Sequence, residues 1–414
     1  MIRFVHAADL HLDAAFGGVD ASDGRVADAL VRSTIEALEK VVDTSIDRGA
    51  DFLVIAGDLY NSADRSLRAE LAFRGAMRRL ADAGIGAYIV HGNHDPADGW
   101  SAGLELPPSV VVFSHREVER HEVVRGGETV CAVYGRSYPT QVVRENLAAD
   151  YARSPKDPLA IGVLHANVGQ RPGWDNYAPC AIADLQAAGM DYWALGHVHV
   201  PGPICDRPPI VYSGSTQGLD PTEEGPRGCY VVELDPSGAR LEFVETAAVL
   251  WRRLAVDLSD AATLDEAHRM VGEACATARR AGGGRPVLAR VELEGRSRVH
   301  ADLARPGVLA DLTADLRRQE LDEEPWLWLD RVRNATRAAI DLEALEAEEG
   351  LRGDLVRLAA AWASDEDAAR ELVEEILAPV REQLAVRPEL GVAAERLIER
   401  ARDLCLDRLG GDAG

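Results

Sequence analysis

Carboxylate, amide and imidazole side chains recur along the first half of the chain in short groups that suit metal binding and phosphate chemistry. The members of these groups are Asp9, His11, Asp58, Asn93, His165, His197 and His199. A mixed set of oxygen and nitrogen donors suits Mn²⁺, iron or Zn²⁺, whereas it is too rich in nitrogen for Ca²⁺ and lacks thiolate. The side chains therefore predict a metal site.

The predicted ligands divide evenly between two ions if Asp58 is shared. One ion would be held by Asp9, His11, Asp58 and His199, and the other by Asp58, Asn93, His165 and His197. Two ions roughly 3.5–4 Å apart can hold a bridging hydroxide that attacks a phosphoryl centre, and they stabilise the charge that develops there. The pattern thus predicts a two-metal phosphoesterase.

His94 follows a predicted ligand directly and has no ligand role of its own. We predict that it is the general acid that protonates the leaving oxygen, with Asp95 holding its ring. An orienting role is the alternative for His94.

The apolar runs before these groups predict the elements that position them. Strands buried on both faces are predicted at 2–7, 52–56, 87–90, 160–164 and 192–195. Helical periodicity is present over 26–46 and 67–83, before glycine stops. Alternation of strands and helices predicts an α/β layered fold, in which ligands gather at the carboxyl ends of strands.

The chain after residue 250 has no comparable polar groups. It predicts a small β-α-β-α-β unit, followed by helices alone from about residue 335. The predicted strands lie at 252–258, 287–293 and 326–332, and the helices between them at 263–281 and 306–319.

Composition excludes several classes of protein. With 414 residues, 47% of them hydrophobic, the chain can bury sizeable cores in two or three units. It has no apolar run of about 18 residues and no signal-peptide pattern, so we expect a cytoplasmic protein without a membrane partner. Six cysteines without a C-x-x-C pair argue against a disulfide framework, and a net charge of −24 argues against a basic nucleic-acid module.

Five motifs resemble those of the calcineurin-like metallophosphoesterases in order and approximate spacing. They are Asp9-x-His11, Gly57-Asp58, Gly92-Asn93-His94-Asp95, His165 and Gly196-His197-x-His199. This resemblance covers roughly residues 1–220. Within the superfamily, the segments 4–13 and 57–60 resemble the SbcD-type DNA repair exonucleases, and among these the YhaO-like branch.

The resemblance implies a fold and a division into domains. The fold would be an α/β, four-layer metallophosphoesterase β-sandwich flanked by helices, then a small α/β capping domain and a helical C-terminal segment. The metallophosphoesterase (nuclease) domain would span 1–250, the capping domain 251–334 and the helical region 335–414. Apolar stripes in the last region would serve internal packing or partner docking.

The resemblance also implies an activity, a cofactor and partners. The activity would be that of a DNA exonuclease or single-strand endonuclease in DNA repair, with His94 as the catalytic histidine. Two divalent ions would be needed, Mn²⁺ first, with iron or zinc as alternatives. The expected partners are DNA, an SbcC-type coiled-coil ATPase and a second copy of the chain.

Asn61 departs from the exonuclease branch, which often has a histidine three residues beyond the bridging aspartate. It could bind substrate phosphate, touch the catalytic histidine or serve an ordinary loop. Two other functions remain open. One is a small-molecule phosphoesterase for cyclic nucleotides or dinucleoside polyphosphates, and the other is a metal-stabilised scaffold that binds DNA ends without efficient catalysis.

Overall fold

A computed structural model of the chain describes residues 1–19, 22–61, 66–99, 103–384 and 394–410. Strands and helices mix in the α/β arrangement that the sequence predicts. The strands are β1 (Ile2–Ala7), β2 (Phe52–Ala56), β3 (Gly86–Val90), β4 (Val110–Val112), β5 (Glu119–Arg125), β6 (Glu128–Gly135), β7 (Ala160–His165), β8 (Tyr192–Gly196), β9 (Gly202–Asp206), β10 (Pro209–Tyr212), β11 (Gly228–Asp235), β12 (Gly238–Glu245), β13 (Leu250–Asp257), β14 (Val287–Glu294), β15 (Arg296–Ser297), β16 (Leu327–Asn334) and β17 (Arg337–Ala338). The helices are α1 (Gly24–Asp47), α2 (Leu67–Asp82), α3 (Ile182–Ala187), α4 (Leu264–Ala281), α5 (His300–Leu303), α6 (Val308–Leu321), α7 (Leu342–Glu346), α8 (Leu351–Ala363), α9 (Glu366–Leu384) and α10 (Ala394–Gly410), with a 3₁₀ turn at Leu147–Asp150.

The first sheet has the strand order β12-β11-β1-β2-β3-β4. Strands β1 to β4 run parallel, and β11 and β12 extend the sheet antiparallel on the β1 side. Helices α1 and α2 cover one face, where Leu38 and Val41 of α1 and Phe73 and Met77 of α2 join a buried apolar cluster with the strands. The apolar face of each helix thus packs against the sheet, as the helical periodicity of the sequence predicts.

The second sheet has the order β5-β6-β7-β8-β10-β9. Its central strands β6, β7, β8 and β10 are parallel, and the edge strands β5 and β9 are antiparallel. The face away from the first sheet is covered by the 3₁₀ turn and α3, with Leu147, Leu185 and Trp193 in one buried cluster.

The two sheets pack face to face through an apolar core. Phe4 and Phe52 stack in parallel with ring centroids 5.1 Å apart, and Tyr192 of the second sheet meets Phe4 edge-on at 5.2 Å. Val133 and Ile161 join the same cluster. The four layers of helix, sheet, sheet and helix confirm the predicted sandwich.

The carboxyl ends of β1, β2, β3, β7 and β8 meet at one edge of this sandwich. Within the first sheet, Ala7 pairs with Ile55 and Ile55 with Ile89. Between the sheets, Nδ1 of His165, at the end of β7, lies 3.0 Å from the carbonyl oxygen of Ala56, at the end of β2. Polar residues that follow these strands therefore converge.

The chain forms two compact units. The first comprises Met1–Leu254, Cys275–Arg290 and Arg317–Arg331, and contains the sandwich. The second comprises Ala255–Ala274, Val291–Leu316 and Val332–Gly414 as far as the chain is described, and its C-terminal part is helical apart from β17. The predicted elements after residue 250 are present as β13, α4, β14, α6 and β16, and the three strands form a sheet in the order β13-β14-β16.

Within the described ranges, none of the helices combines the length and the apolar character that crossing a bilayer requires.

Candidate metal centre

The seven predicted ligands come together at the carboxyl edge of the two sheets. The structure contains three groups of side chains, and within each group the donor atoms lie within 4.8 Å of one another. The groups are Asp9, His11 and His199; His11, Asp58 and His94; and Asp9, Asp58 and His165. Asn93 and His197 complete the set, because Oδ1 of Asn93 lies 2.9 Å from Nε2 of His165 and 3.2 Å from Nδ1 of His197. Six of the seven are buried, and His199 is partly buried.

The loops after β1 and β2 continue beside each other past the ends of their strands. The N–H of Asp9 donates to the carbonyl of Gly57 at 3.0 Å, and the N–H of His11 donates to the carbonyl of Asp58 at 3.0 Å. The carboxylate of Asp9 also accepts the N–H of His197, with 3.0 and 3.1 Å to its two oxygens. This ladder fixes the first-sheet ligands relative to the end of β8.

Four of the predicted ligands have a left-handed backbone. The φ angles are 51° at Asp9, 44° at His11, 51° at Asp58 and 95° at His197. A non-glycine residue in this region costs on the order of 1–3 kcal/mol and persists where the surroundings over-determine it, most often at functional sites. The strain lies where a sharp turn aims each side chain back into the centre.

Two glycines leave room for the ligands. A Cβ at Gly92 would lie 2.3 Å from Oδ1 of Asp58, and a Cβ at Gly196 would lie 2.0 Å from the carbonyl oxygen of Ala56. Both motifs therefore need glycine for close approach rather than for chain flexibility.

The electrostatics of the centre favour a cation. Burial raises the pKa of Asp9 to about 6. Burial opposes ionisation of Asp58 as well, but the charge and hydrogen bond of His165 hold the pKa of Asp58 well below its usual range. Burial disfavours the charged form of His165, yet Asp58 outweighs burial and raises the pKa of His165 to about 9. The buried carboxylates are thus stabilised by a positive charge beside them, which a metal ion would supply.

Two of the remaining imidazoles are neutral, as metal ligands must be. Burial lowers the pKa of His11 to about 3 and that of His197 to about 4, so both rings are neutral. At His199 burial disfavours the charged form, but the hydrogen bond to Glu223 outweighs it and raises the pKa of His199. Nε2 of His11 lies 3.2 Å from Nε2 of His199. Within the described residues the buried Nδ1 of His11 has no hydrogen-bond partner. A cation between the two Nε2 atoms and the carboxylates suits this donor set, so the residues present fit a two-metal centre.

His94 sits at the rim of the centre, half-buried. Its N–H donates to Oδ1 of Asp58 at 2.9 Å, and its ring meets that of His11 edge-on at 4.8 Å. Nδ1 of His94 lies 3.1 Å from the main-chain carbonyl of Asn61, whose side chain is exposed. The ring is thereby held with Nε2 available for proton transfer.

The carboxylate of Asp95 contacts the main chain of two neighbouring loops and the ring of His91. The sequence interpretation set its carboxylate against the ring of His94. In the structure the carboxylate accepts the N–H groups of Leu59 and Gly92 at 3.0 and 2.9 Å and lies 3.0 Å from Nδ1 of His91. Asp95 thus ties the turn that carries Asn93 and His94 to the loop after β2.

Sequence reasoning missed the groups that hold the outer nitrogens of the ligand histidines. Nδ1 of His199 is hydrogen-bonded to the carboxylate of Glu223, and burial of that carboxylate is outweighed by this bond, which lowers the pKa of Glu223 to about 2. Nε2 of His197 lies 2.7 Å from the carbonyl oxygen of Asp175. Neither residue belongs to a motif with regular spacing, and a carbonyl leaves no signal in the residue type.

Comparison with known proteins identifies the family of this fold and site. The family model described as Calcineurin-like phosphoesterase matches residues 2–201, and the model described as Metallophosphoesterase YhaO, middle domain, matches residues 251–337. The chain belongs to the calcineurin-like metallophosphoesterases, in the YhaO-like branch, which confirms the predicted resemblance. Members of this family bind two divalent metal ions and hydrolyse phosphoesters.

Individual relatives agree with this assignment. The chain is 34% identical to the uncharacterized metallophosphoesterase YhaO of Bacillus subtilis over 83% of its own length and 84% of that protein. It is 29% identical to the DNA double-strand break repair protein Mre11 of Haloferax volcanii, over 66% of this chain and 58% of that protein. It is 26% identical to the SbcD component of the nuclease SbcCD of Bacillus subtilis, over 54% of this chain and 64% of that protein.

The contact of Gly92 with Asp58 yields a prediction about metal binding. Gly92→Ala should push the Asp58 carboxylate aside and weaken the binding of Mn²⁺ by roughly 10–100-fold, the range typical of disturbed ligand support. Isothermal titration of the metal-free protein with Mn²⁺ measures this. Gly75→Ala in α2 is the matched control, since its Cβ meets nothing within 4 Å. It should leave Mn²⁺ binding unchanged, and equal binding by the two variants would contradict the prediction.

Proposed function

We propose that this protein is a metal-dependent phosphodiesterase that acts on DNA, as an exonuclease or single-strand endonuclease in DNA repair. The observation that carries the proposal is the convergence of seven candidate ligand side chains, Asp58 among them, with His94 beside them. DNA as substrate is supported by the likeness to Mre11 and to SbcD, whose names state a repair protein and a nuclease component.

The proposed ligand assignment is the one predicted from the sequence, and the grouping of Asp9, His11 and His199 supports the first site. The first ion is held by Asp9, His11, Asp58 and His199, and the second by Asp58, Asn93, His165 and His197. The mixed donor set favours Mn²⁺, with iron or zinc as alternatives. When bound, the two ions supply an activated water and stabilise the charge on the phosphoryl group.

The protein's own contribution to the chemistry is positioning and proton transfer. His94 donates a proton from Nε2 to the leaving sugar oxygen, while the Asn61 carbonyl holds Nδ1. Asp95 fixes the turn on which His94 is carried. In this proposal Asn61 acts through its main chain, and its side chain is exposed.

Substrate choice and metal dependence are tested together. A short labelled duplex, single-stranded DNA, bis-p-nitrophenyl phosphate and cyclic AMP are compared, first with EDTA and then with added Mn²⁺, Fe²⁺ or Zn²⁺. We expect cleavage of DNA to stop in EDTA and to return best with Mn²⁺. Cleavage of cyclic AMP but not DNA would favour a small-molecule enzyme, and salt-sensitive DNA binding without cleavage would favour a scaffold.

His94→Ala should lower turnover on DNA by about 10²–10⁴-fold, because the leaving oxygen loses its proton donor. Mn²⁺ binding should stay near that of the unchanged protein, since His94 is outside the proposed ligand set. The measurements are single-turnover rates and metal stoichiometry. His115→Ala removes a histidine away from the centre and should change neither quantity. An unchanged rate in His94→Ala would remove His94 from the mechanism.

We also propose partners for the regions beyond the sandwich. Residues 251–334 act as a capping domain, and the helical region after 335 docks an SbcC-type coiled-coil ATPase. An apolar groove of about 480 Å³ between α8, α9 and α10 supports this. It is lined by Leu355, Leu358, Ala359, Trp362, Leu372, Val373, Ile376, Leu397, Ile398, Ala401, Arg402 and Cys405. Such a groove suits an apolar helix face.

A homodimer and a cytoplasmic location complete the proposal. The exposed apolar residues Val31 of α1 and Leu67 and Leu71 of α2 offer a surface for a second copy. The six cysteines are free thiols, which suits a reducing compartment.

Ile376→Asp should weaken binding of the ATPase by at least about tenfold, because a charge in the groove disfavours an apolar partner. Ile376 is 63% exposed, so the change should leave the fold intact. Leu351→Asp is the matched control, since Leu351 is 68% exposed on α8 and does not line the groove. Co-purification and calorimetric titration with the ATPase measure the effect. Equal binding by both variants would place the docking surface elsewhere.

A further inference from the structure

The two histidines of the Gly196-His197-Val198-His199 motif offer opposite ring nitrogens to the centre. His199 directs Nε2 inward, 3.2 Å from Nε2 of His11. His197 directs Nδ1 inward, 3.2 Å from Oδ1 of Asn93. A neutral imidazole presents a lone pair on one nitrogen only, and the hydrogen bond made by the other nitrogen decides which one it is. Each histidine therefore depends on its outer partner.

The outer partner of His199 is a carboxylate held firmly in place. Glu223 bonds Nδ1 of His199 through one oxygen and accepts the N–H of Leu219 through the other at 2.7 Å. The buried guanidinium of Arg227 donates to the main-chain carbonyls of His199, Glu223 and Glu224. The loop between β10 and β11 thus holds Glu223 against His199.

The outer partner of His197 is a carbonyl that another side chain positions. Asn167 is fully buried, two residues beyond His165. Its Nδ2 lies 3.3, 3.4 and 3.2 Å from the carbonyl oxygens of Arg171, Trp174 and Asp175, and its Oδ1 accepts the N–H of Arg171 at 2.8 Å. The turn over 171–175 is therefore wrapped around Asn167. That turn aims the Asp175 carbonyl at Nε2 of His197.

We propose that Glu223 and Asn167 are positioning residues that control the two ions separately. Glu223 selects the nitrogen that His199 offers to the first ion. Asn167, through the Asp175 carbonyl, selects the nitrogen that His197 offers to the second. Neither residue touches the reacting atoms. The inference rests on the ligand assignment in the proposed function. It adds that the metal occupancy of each site depends on a different loop.

The test uses Mn²⁺ binding to the metal-free, full-length protein, followed by calorimetry and electron paramagnetic resonance. Glu223→Ala should weaken the binding of one of the two Mn²⁺ ions by roughly 10–100-fold and leave binding of the second unchanged. Asn167→Ala should weaken binding of the second ion by a similar factor and leave the first unchanged. Each change is then repeated with His11→Ala, which removes the first site, and with Asn93→Ala, which removes the second. In the Asn93→Ala background, where the first site remains, Glu223→Ala should weaken Mn²⁺ binding and Asn167→Ala should not. In the His11→Ala background, where the second site remains, the reverse should hold.

A second measurement reports on the rings without metal or activity. Nitrogen-15 shifts of the histidine rings in the metal-free protein should show His199 losing its single tautomer in Glu223→Ala, and His197 in Asn167→Ala. Glu223→Gln keeps an oxygen that accepts the Nδ1 proton and should restore most of the lost affinity. Glu224→Gln is the neighbouring control, since Glu224 faces the N–H of Arg253 instead of a histidine.

Two results would overturn the inference while the proposed function stands. One is unaltered binding of both ions in Glu223→Ala and Asn167→Ala, and the other is equal loss of both ions with a lower melting temperature. An unsubstituted protein that binds fewer than two Mn²⁺ ions would instead overturn the ligand assignment, and the inference with it.

Discussion

The ionised carboxylate of Asp58, buried where the two sheets end, is the constraint on which the site depends. A buried negative charge is costly unless it is paired and hydrogen-bonded. Here Oδ2 of Asp58 lies 3.4 Å from Nε2 of His165, and Oδ1 accepts the N–H of His94. The same carboxylate leaves no room for a side chain at Gly92. Charge compensation and sterics together therefore bring β2, β3 and β7 to a single point.

The strand ends and the convergence of the candidate ligands could be predicted from the sequence because both have a local signature. A buried parallel strand is a short apolar run, and a change to Asp, Asn or His marks where it ends. The helices of the second half were predicted for a similar reason, since their apolar period is intact. The two-residue strands β15 and β17 carry no such period, and the sequence did not reveal them.

The contacts that support the ligands could not be predicted, because they come from loops and from main-chain atoms. Asp95 follows His94 directly in sequence, yet its carboxylate lies 3.0 Å from Nδ1 of His91. Glu223 is distant from every motif and reaches His199 through the loop between β10 and β11. Sequence spacing reports which side chains share a strand end, but it contains no information about which loop folds over that end. The sequence therefore predicts which candidate ligands converge, but not the contacts that support them from outside.

The hydrogen bond between the ring of His94 and residue 61 has an evolutionary consequence. Its acceptor is the peptide oxygen, which every amino acid possesses, so a change of side chain at position 61 leaves this support of the His94 ring in place. The side chain at position 61 can therefore vary among relatives while the ring of the histidine at position 94 keeps the same main-chain support.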